Sequence, residues 1–358
     1  MDKLTLAVVF GGQSSEHEIS CLSAATIIRN INKEAYELLL IGITREGRWL
    51  LAKDLEDVVS GAWKNSDTEA VISPEATIHG AVLIKDGVSY TKHVDVIFPA
   101  LHGLYGEDGT IQGIFEMAHI PYVGCGVLAS AVGMDKFYTK IIVDRLGIAQ
   151  AKYVPVYREE LSDMEAVVAR IEAAHHYPIF VKPSNAGSSK GVSKAADRES
   201  LKAALAIAAA EDYKILVEET IVGRELECAL FGGEMIEASG VGEVLAADEF
   251  YSYDAKYNNS DSRTELRPDL PAGKEEEIRT AAMRIFKAID GFGLSRADFF
   301  LEKGTNRVVF NEINTLPGFT SISMYPMLWA ERGVSTPELV EKLIRSAWRR
   351  KSSRTEEK

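Results

Sequence analysis

The chain has 358 residues, of which 46% are hydrophobic and 26% charged, which is an ordinary enzyme-like mixture and long enough for two or three domains. The formal net charge of −13 argues against non-specific nucleic-acid binding, and no apolar run reaches membrane-spanning length. Cys21, Cys125 and Cys228 are far apart and the first apolar run is too short for an export signal, so we expect reduced thiols and a cytoplasmic location.

The first part of the chain alternates buried apolar runs with helical patterns, which predicts an α/β domain over residues 1–133 with a parallel sheet. The predicted strands cover residues 4–10, 37–43 and 94–100, and the predicted helices cover residues 20–30 and 111–118. Residues 60–75 are polar and irregular, so we interpret them as a loop.

Two further regions follow, a central one over residues 134–218 and a C-terminal one over residues 219–358. The predicted helices cover 134–146, 163–174, 198–210, 274–289 and 335–350. The predicted strands cover 179–182, 214–218, 225–231, 234–243, 295–302 and 308–314. Residues 248–265 form a polar and aromatic loop, which suits a lid that orders over a ligand.

Four polar side chains alternate along the last two predicted strands. Arg296 and Asp298 share one face, as do Glu312 and Asn314, because residues two apart in a strand point the same way. If the strands pair as a hairpin, these oxygen donors converge as Mg²⁺ and phosphate require. For either strand alone, a half-exposed sheet face with a salt bridge is the better interpretation.

A predicted strand ends at Lys182 and enters a Gly/Ser-rich loop over residues 184–191. Backbone N–H groups of such a loop can wrap phosphate, and the lysine can meet the same charge. The Walker A pattern is absent, and a plain turn explains the local sequence equally well.

Residues 124–129 fit the Gly-x-Gly-x-x-Gly/Ala fingerprint of dinucleotide binding, with Asp144 about 20 residues on. That aspartate lies inside a helical pattern rather than at a strand end, and the motif is far from the first strand. We therefore disfavour NAD binding.

Two more loops, 11–20 and 101–110, follow buried strands and lead into helices, where ligands meet helix N-termini. They contain His17 and His102, and lone histidines in such places are more often structural than catalytic.

Together these motifs resemble the D-alanine–D-alanine ligases of the ATP-grasp superfamily, from Gly11 to about Leu343. The markers occur in order as Gly-Gly-x-Ser-x-Glu-His-Glu at 11–18, Leu-His-Gly…Gly-Glu-Asp-Gly at 101–109, Met-Asp-Lys at 134–136, Lys-Pro…Gly-Ser-Ser at 182–189, Tyr-Asp-Ala-Lys-Tyr at 253–257, Arg-Ala-Asp at 296–298 and Asn-Glu-Ile-Asn-Thr-Leu-Pro-Gly at 311–318. Each is weak alone, but seven in order are specific.

The resemblance implies a three-domain ATP-grasp fold with ATP between the second and third domains. It also implies that ATP phosphorylates the carboxylate of a first D-alanine and that the amine of a second attacks the acyl phosphate. The product would be D-alanyl-D-alanine for peptidoglycan synthesis, made by a homodimer.

The resemblance further implies roles for particular residues. Metal ligands for two Mg²⁺ or Mn²⁺ ions would be Asp298, Glu312 and Asn314. Groups that bind ATP would be Lys136, Lys182, Ser189, Glu218, Glu225 and Lys256. A hydrogen-bonded chain that closes the lid would comprise Glu16, Ser188 and Tyr257. The oxyanion would be met by Arg296 and the N–H of Gly318. The amino-acid substrates would be contacted by Glu16, His102, Gly318, Ser323 and Met324.

Two alternatives remain open beside this interpretation. One is another ATP-grasp ligase that uses D-lactate, D-serine or a different acceptor; the apolar Met324 favours D-alanine over D-serine, because an unpaired buried hydroxyl is costly. The other is a nucleotide-binding regulatory protein that has lost its chemistry. The intact set of Arg296, Asp298, Glu312 and Asn314 argues against that last possibility.

Overall fold

A computed structural model of the chain describes residues 3–187, 190–233, 235–245 and 263–355, with side chains up to residue 350. Three β-sheets follow one another along the chain, and helices pack on each of them. Among the helices of the described residues, none is long and apolar enough to cross a membrane.

The first sheet has seven strands in the order β6-β5-β4-β3-β2-β1-β7. Its strands are β1 Leu4–Gly11, β2 Tyr36–Ile43, β3 Trp49–Ala52, β4 Thr68–Ile72, β5 Gly80–Lys85, β6 Val88–His93 and β7 Val96–Ala100. Its helices are α1 His17–Asn30, α2 Leu55–Ser60 and α3 Thr110–Met117.

The predicted parallel strands are confirmed, since β1 lies between β2 and β7 and is parallel to both. The remaining strands form an antiparallel extension that the sequence did not indicate. The prediction of a loop over residues 60–75 was wrong, because a 3₁₀ turn at Ala62–Asn65 and strand β4 lie there. The turn buries Trp63 completely against the sheet, so this polar segment is anchored by one aromatic side chain.

The predicted helix over residues 134–146 is confirmed to within two residues as α5 Lys136–Leu146, and a separate helix, α4 Val127–Met134, precedes it. Asp135 separates them in an extended conformation and accepts hydrogen bonds from the N–H groups of Phe137 and Tyr138. This N-cap begins α5, and Gly147 ends it in the left-handed conformation.

The second sheet has four antiparallel strands in the order β10-β9-β11-β8. The strands are β8 Tyr153–Tyr157, β9 Ile179–Pro183, β10 Ser193–Ala195 and β11 Lys214–Glu219. Helices α6 Met164–Ala174 and α7 Arg198–Glu211 cover it, and a 3₁₀ turn at Arg158–Asp163 precedes α6. These elements match the predictions to within one or two residues, except that β8 and β10 were missed.

The third sheet is antiparallel, in the order β14-β13-β12-β15-β16. The strands are β12 Gly223–Gly232, β13 Ile236–Leu245, β14 Arg263–Glu265, β15 Gly293–Glu302 and β16 Val308–Asn314. The helices that follow the sheet's strands are α8 Lys274–Ala288, α9 Met324–Glu331 and α10 Thr336–Thr355.

One hydrophobic core joins the two ends of the chain. It contains Phe10 and Phe98 from the first sheet, Phe319 from the loop after β16, and one stripe of α10. The predicted stripe of Leu339, Leu343 and Ala347 is fully buried in this core. The loop after β16 is therefore held between the first and third sheets.

Candidate active site

The last two strands form the predicted hairpin. Asn314 lies opposite Arg296 and Glu312 lies opposite Asp298, with an irregularity in the register just after Asp298. All four side chains line a cavity of about 460 Å³ between the second and third sheets, which also receives residues from the first. Their convergence, which strand alternation predicted, is confirmed.

Arg296 is held by two carboxylates inside the protein. It donates two hydrogen bonds to Asp298, at 2.7 and 2.6 Å, and its Nε lies 2.9 Å from Glu227 on β12. Burial lowers the pKa of Arg296, but the charges of Asp298 and Glu227 outweigh it and raise the pKa well above the ordinary value. Its guanidinium is therefore a permanent cation with a fixed orientation.

The donor set of Asp298, Glu312 and Asn314 fits a hard divalent cation. The amide nitrogen of Asn314 donates to Asp298 at 3.0 Å, so the amide oxygen is the atom that it can offer to a cation. Two carboxylates and one amide oxygen on adjacent strands are the chemistry that Mg²⁺ prefers.

The Gly/Ser loop reaches the same cavity through its stem. Lys136, the first residue of α5, donates to the carbonyl of Ala186 at 3.0 Å and lies 3.4 Å from Glu312. Lys182, at the end of β9, also lines the cavity. The two predicted phosphate lysines thus lie on either side of the loop, next to the predicted metal ligands.

A buried group of charges, which we call the paired cluster, consists of Glu218, Lys140 and Lys182. Glu218 lies 2.6 Å from Lys140 and forms a second ion pair with Lys182. Burial raises the pKa of Glu218, but the two ammonium groups overcome this and lower it to about 2. The carboxylate of Glu218 therefore holds Lys182 in the cavity wall and Lys140 behind it. Lys140 was not predicted, and its one signal in the sequence is its position one helical turn after Lys136.

Apolar side chains line the cavity beside the paired cluster. Phe180, Leu226 and Phe310 are among them, together with the chain segment at residues 219–223 that joins the second sheet to the third. Glu225, half-buried on β12, lies on the same wall. A slot with apolar faces and a polar edge suits a purine base and its ribose.

A second group of charges, the acidic cluster, consists of Glu16, Glu107 and Glu312. Glu107 accepts hydrogen bonds from the N–H groups of Gly103, at 3.1 Å, and Leu316. Burial, and next the Glu16 carboxylate, raise the pKa of Glu107 to about 8. Glu107 lies within the motif at residues 101–109, but no role was predicted for it. Its burial beside Glu16 depends on the tertiary fold.

Two glycines leave room for the carboxylate of Glu16. A Cβ atom at Gly187 would lie 2.9 Å from its Oε2, and one at Gly103 would lie 3.0 Å away. Glu16 is therefore the point where the loop after β1, the loop after β7 and the Gly/Ser loop meet.

His102 does not line the cavity described here; it connects α1 to the loop after β16. Its Nδ1 lies 2.9 Å from the carbonyl of Leu316, so Nδ1 carries the proton, and its Nε2 accepts from Ser23 at 2.9 Å. The Ser23 hydroxyl in turn accepts from the N–H of Phe319 at 3.1 Å. These bonds hold both sides of Gly318.

Ser323 and Met324 follow that loop at the start of α9. The Ser323 hydroxyl accepts from the N–H of Thr320 at 2.9 Å and lies 3.0 Å from the position of a Cβ at Gly318. Met324 is buried, and a Cβ at Gly242 would lie 2.7 Å from its sulfur, so it packs onto β13. Ser188, Ser189, Lys256 and Tyr257, with most of the predicted lid, lie outside the described residues.

Two family models match the chain. Residues 5–125 match the model described as D-ala D-ala ligase N-terminus, and residues 142–345 match D-ala D-ala ligase C-terminus. The chain belongs to the D-alanine–D-alanine ligase family. The expected α/β fold of three-domain ATP-grasp type accompanies this assignment.

Curated relatives align with this chain over almost the whole length of both. The D-alanine–D-alanine ligase of Acetivibrio thermocellus is 51% identical over 96% of this chain and 95% of the relative. The D-alanine–D-alanine ligase of Ruminiclostridium cellulolyticum is 51% identical over 98% and 96%, respectively.

Solved structures of the family agree with the fold. The VanG D-Ala:D-Ser ligase from Enterococcus faecalis has a TM-score of 0.88 and 38% identity, covering 97% of this chain and 100% of that one. The D-alanine–D-alanine ligase from Coxiella burnetii has a TM-score of 0.87 and 31% identity, covering 99% and 96%.

The geometry also explains why the dinucleotide fingerprint was a false lead in this ligase. Asp144 lies within α5, where its carboxylate accepts from Gln150 at 2.6 Å and Tyr153 at 2.8 Å. Gly124 packs against Gly293, whose Cβ would lie 2.9 Å from the Gly124 Cα. These glycines allow two backbones to approach.

Proposed function

We propose that this D-alanine–D-alanine ligase family member joins two D-alanines, with ATP hydrolysed to ADP and phosphate, and so supplies the dipeptide for peptidoglycan synthesis. The observation that carries the proposal is the hairpin that brings Arg296, Asp298, Glu312 and Asn314 into one cavity. The same cavity holds an apolar slot for a base and two lysines for phosphates.

ATP binds with its base in the apolar slot and its phosphates between Lys136 and Lys182. Glu225 meets the ribose hydroxyls, while Glu218 acts chiefly by keeping Lys182 and Lys140 in place. By family resemblance, Ser189 and Lys256, which lie outside the described residues, would complete the phosphate contacts.

Asp298, Glu312 and Asn314 are the residues that hold Mg²⁺ or Mn²⁺, and we expect two ions. When bound, the metal ions neutralise charge on the transferring phosphoryl group. Lys136, at 3.4 Å from Glu312, adds a fixed positive charge beside that position.

The acidic cluster receives the first D-alanine. The ammonium group of this D-alanine binds Glu16. The carboxylate of the D-alanine then points toward the phosphates of ATP, where the acyl phosphate forms. When the second amine attacks that carbonyl, the oxyanion meets the guanidinium of Arg296 and the N–H of Gly318. Phosphate then leaves as the carbonyl re-forms.

The second D-alanine binds beside the loop after β16. Ser323 meets its carboxylate, and the hydrogen bonds of His102 and Ser23 keep that loop at the correct distance. Met324 supports the apolar side of this pocket from the core beneath it. By family resemblance, Ser188 and Tyr257, which lie outside the described residues, would close the lid together with Glu16.

The test is ATP-dependent phosphate release measured with D-alanine alone, D-alanine plus D-serine, and D-alanine plus D-lactate, with product identity by mass spectrometry. We expect D-alanyl-D-alanine as the main product. The proposal is contradicted if phosphate release does not depend on D-alanine. A dominant mixed product with D-serine or D-lactate would show that this compound, and not D-alanine, is the second substrate. Asp298→Asn should abolish turnover without unfolding the chain.

We also propose a homodimer in the cytoplasm, with domain boundaries near residues 134 and 219. Light scattering of the purified protein tests the dimer, and limited proteolysis tests the boundaries. A strictly monomeric, fully active enzyme removes the first of these proposals.

A further inference from the structure

The start of α1 carries three side chains with metal-ligating groups outside the cavity. His17, Glu18 and Cys21 each offer one ligand atom, and these atoms all lie within 4.8 Å of one another. His17 and Cys21 are four residues apart on a helix, so they lie on the same face, one turn from each other. Imidazole nitrogen, carboxylate oxygen and thiolate sulfur are all ligands of Zn²⁺.

The hydrogen bonding of His17 is that of a metal ligand. Its side chain is completely buried, and its Nδ1 lies 2.7 Å from the carbonyl of Gly12 and so carries the proton. A ligating histidine usually donates its other ring N–H to such a carbonyl, which fixes the tautomer. In the part of the chain that the structure describes, no group hydrogen-bonds its Nε2. Burial lowers the pKa of His17, which keeps that lone pair unprotonated at neutral pH.

We propose that His17, Glu18 and Cys21 form a binding site for a borderline divalent transition metal of the Zn²⁺ class, separate from the site that serves ATP. Three protein ligands leave a fourth position for water, as in an open tetrahedral site. Glu18 is 60% exposed on its side chain and Cys21 is half-buried, so the ion enters from the surface.

The charges around the site allow this occupancy. Arg45 and Lys64 lie 3.5 and 3.7 Å from Glu18 Oε1, which are long, exposed contacts that a metal ion can displace. Burial, and next the Glu18 carboxylate, raise the pKa of Cys21 to about 12 against the effect of these two cations, so the thiol is protonated before the ion arrives. Binding forms the metal–sulfur bond and releases that proton to solvent.

Cobalt is the probe, because a thiolate ligand gives Co²⁺ a near-ultraviolet charge-transfer band that carboxylates do not. The full-length protein, stripped with chelator and saturated with Mg²⁺, is titrated with Co²⁺ and then with Zn²⁺ in competition. We expect one equivalent to produce the band and Zn²⁺ to abolish it.

Two variants test the proposed ligands, and a third serves as the control. Cys21→Ala should remove the band while leaving ligase turnover with Mg²⁺ unchanged, and Glu18→Gln should weaken Co²⁺ binding about tenfold or more. Cys228→Ala, which changes a buried thiol elsewhere, should keep the band. The proposal is overturned if the parent protein shows no band at saturating Co²⁺, or if the band survives Cys21→Ala.

Discussion

The paired cluster and the acidic cluster both place carboxylates in the cavity, but their charges are balanced differently. In the paired cluster, one carboxylate has two ammonium partners, and the pKa of Glu218 is lowered to about 2. In the acidic cluster, burial and next the Glu16 carboxylate raise the pKa of Glu107 to about 8. The first cluster has two cations for one carboxylate, whereas the second has three carboxylates, of which Glu312 lies 3.4 Å from the ammonium of Lys136.

This difference indicates which part of the cavity is built before ligands bind. Opposite charges fix Lys182, one of the two lysines proposed to meet phosphate, so this part of the nucleotide region is preorganised. Repulsion between carboxylates is relieved when an ammonium group or a metal ion binds, so the acidic cluster favours the cationic parts of the reactants. Glu218→Gln and Glu107→Gln test the two clusters directly, and Arg296→Ala and Ser23→Ala test the parts of the site beside them.

The largest effect is expected from Glu218→Gln, which leaves two buried ammonium groups without their anion. We expect the free energy of unfolding to fall by about 3–5 kcal/mol, measured by urea denaturation without nucleotide. Glu165→Gln is the matched control, since Glu165 also pairs with two cations, Arg198 and Lys202, but is 65% exposed on its side chain. An equal loss in both variants would show that burial does not distinguish the paired cluster.

The next effect concerns Arg296→Ala, which removes the cation between Asp298 and Glu227. If the guanidinium meets the oxyanion, kcat should fall by roughly 10²–10³. Steady-state kinetics with D-alanine and ATP measure this, with Arg296→Lys as the control that keeps a positive charge. A raised KM with unchanged kcat would mark Arg296 as a residue that binds ground state and transition state equally.

Glu107→Gln tests the acidic cluster through pH. In the unfolded chain this carboxyl titrates near 4.5, and in the folded chain near 8, so between these values only the folded state keeps the proton. Stability therefore falls as pH rises through this interval, by up to roughly 1.4 kcal/mol per pH unit. Glu107→Gln should flatten that slope in urea denaturation with chelator present.

The control for this pH experiment is Glu37→Gln, because Glu37 is exposed and paired with Lys92. It should leave the slope as in the parent protein. Identical slopes for the parent and Glu107→Gln would mean that Glu107 is ionised at neutral pH.

The smallest effect is expected from Ser23→Ala, which removes a neutral link rather than a charge. His102 Nε2 and the N–H of Phe319 lose their partner, which should cost about 1–3 kcal/mol of stability. Ser60→Ala, at an exposed hydroxyl that bonds the Glu56 carbonyl, is the control. A change no larger than the control's would show that the loop after β16 is held by packing alone.

Strand alternation predicted that Arg296, Asp298 and Asn314 share a face if β15 and β16 pair, but the pairing itself came only from the structure. The position of Lys182 beside the cavity was also predictable, because this residue ends a strand just before a Gly/Ser loop. The roles of these residues came from the ordered motifs, since the local pattern alone equally suited a salt-bridged surface.

The features that were missed depend on tertiary packing. Lys140 reaches Glu218 only because the fold brings α5 close to β11. Glu107 belongs to the acidic cluster only because two loops enclose it beside Glu16. The strands between residues 49 and 93 have only four to six residues each, which is too short for a clear periodic signal. Met324 was singled out for substrate contact, and the structure adds a second reason for its apolar character, because its side chain is buried in the core beneath α9.

The core that unites Phe10, Phe319 and α10 has a practical consequence for cutting the protein into pieces. A fragment that stops before Thr336 exposes the apolar face on which α10 rests, and we expect it to aggregate. Circular permutants that keep α10 tethered should stay folded, as should halves that are expressed together. The last helix is thus a seam that closes the molecule, and engineering of this ligase should leave it intact.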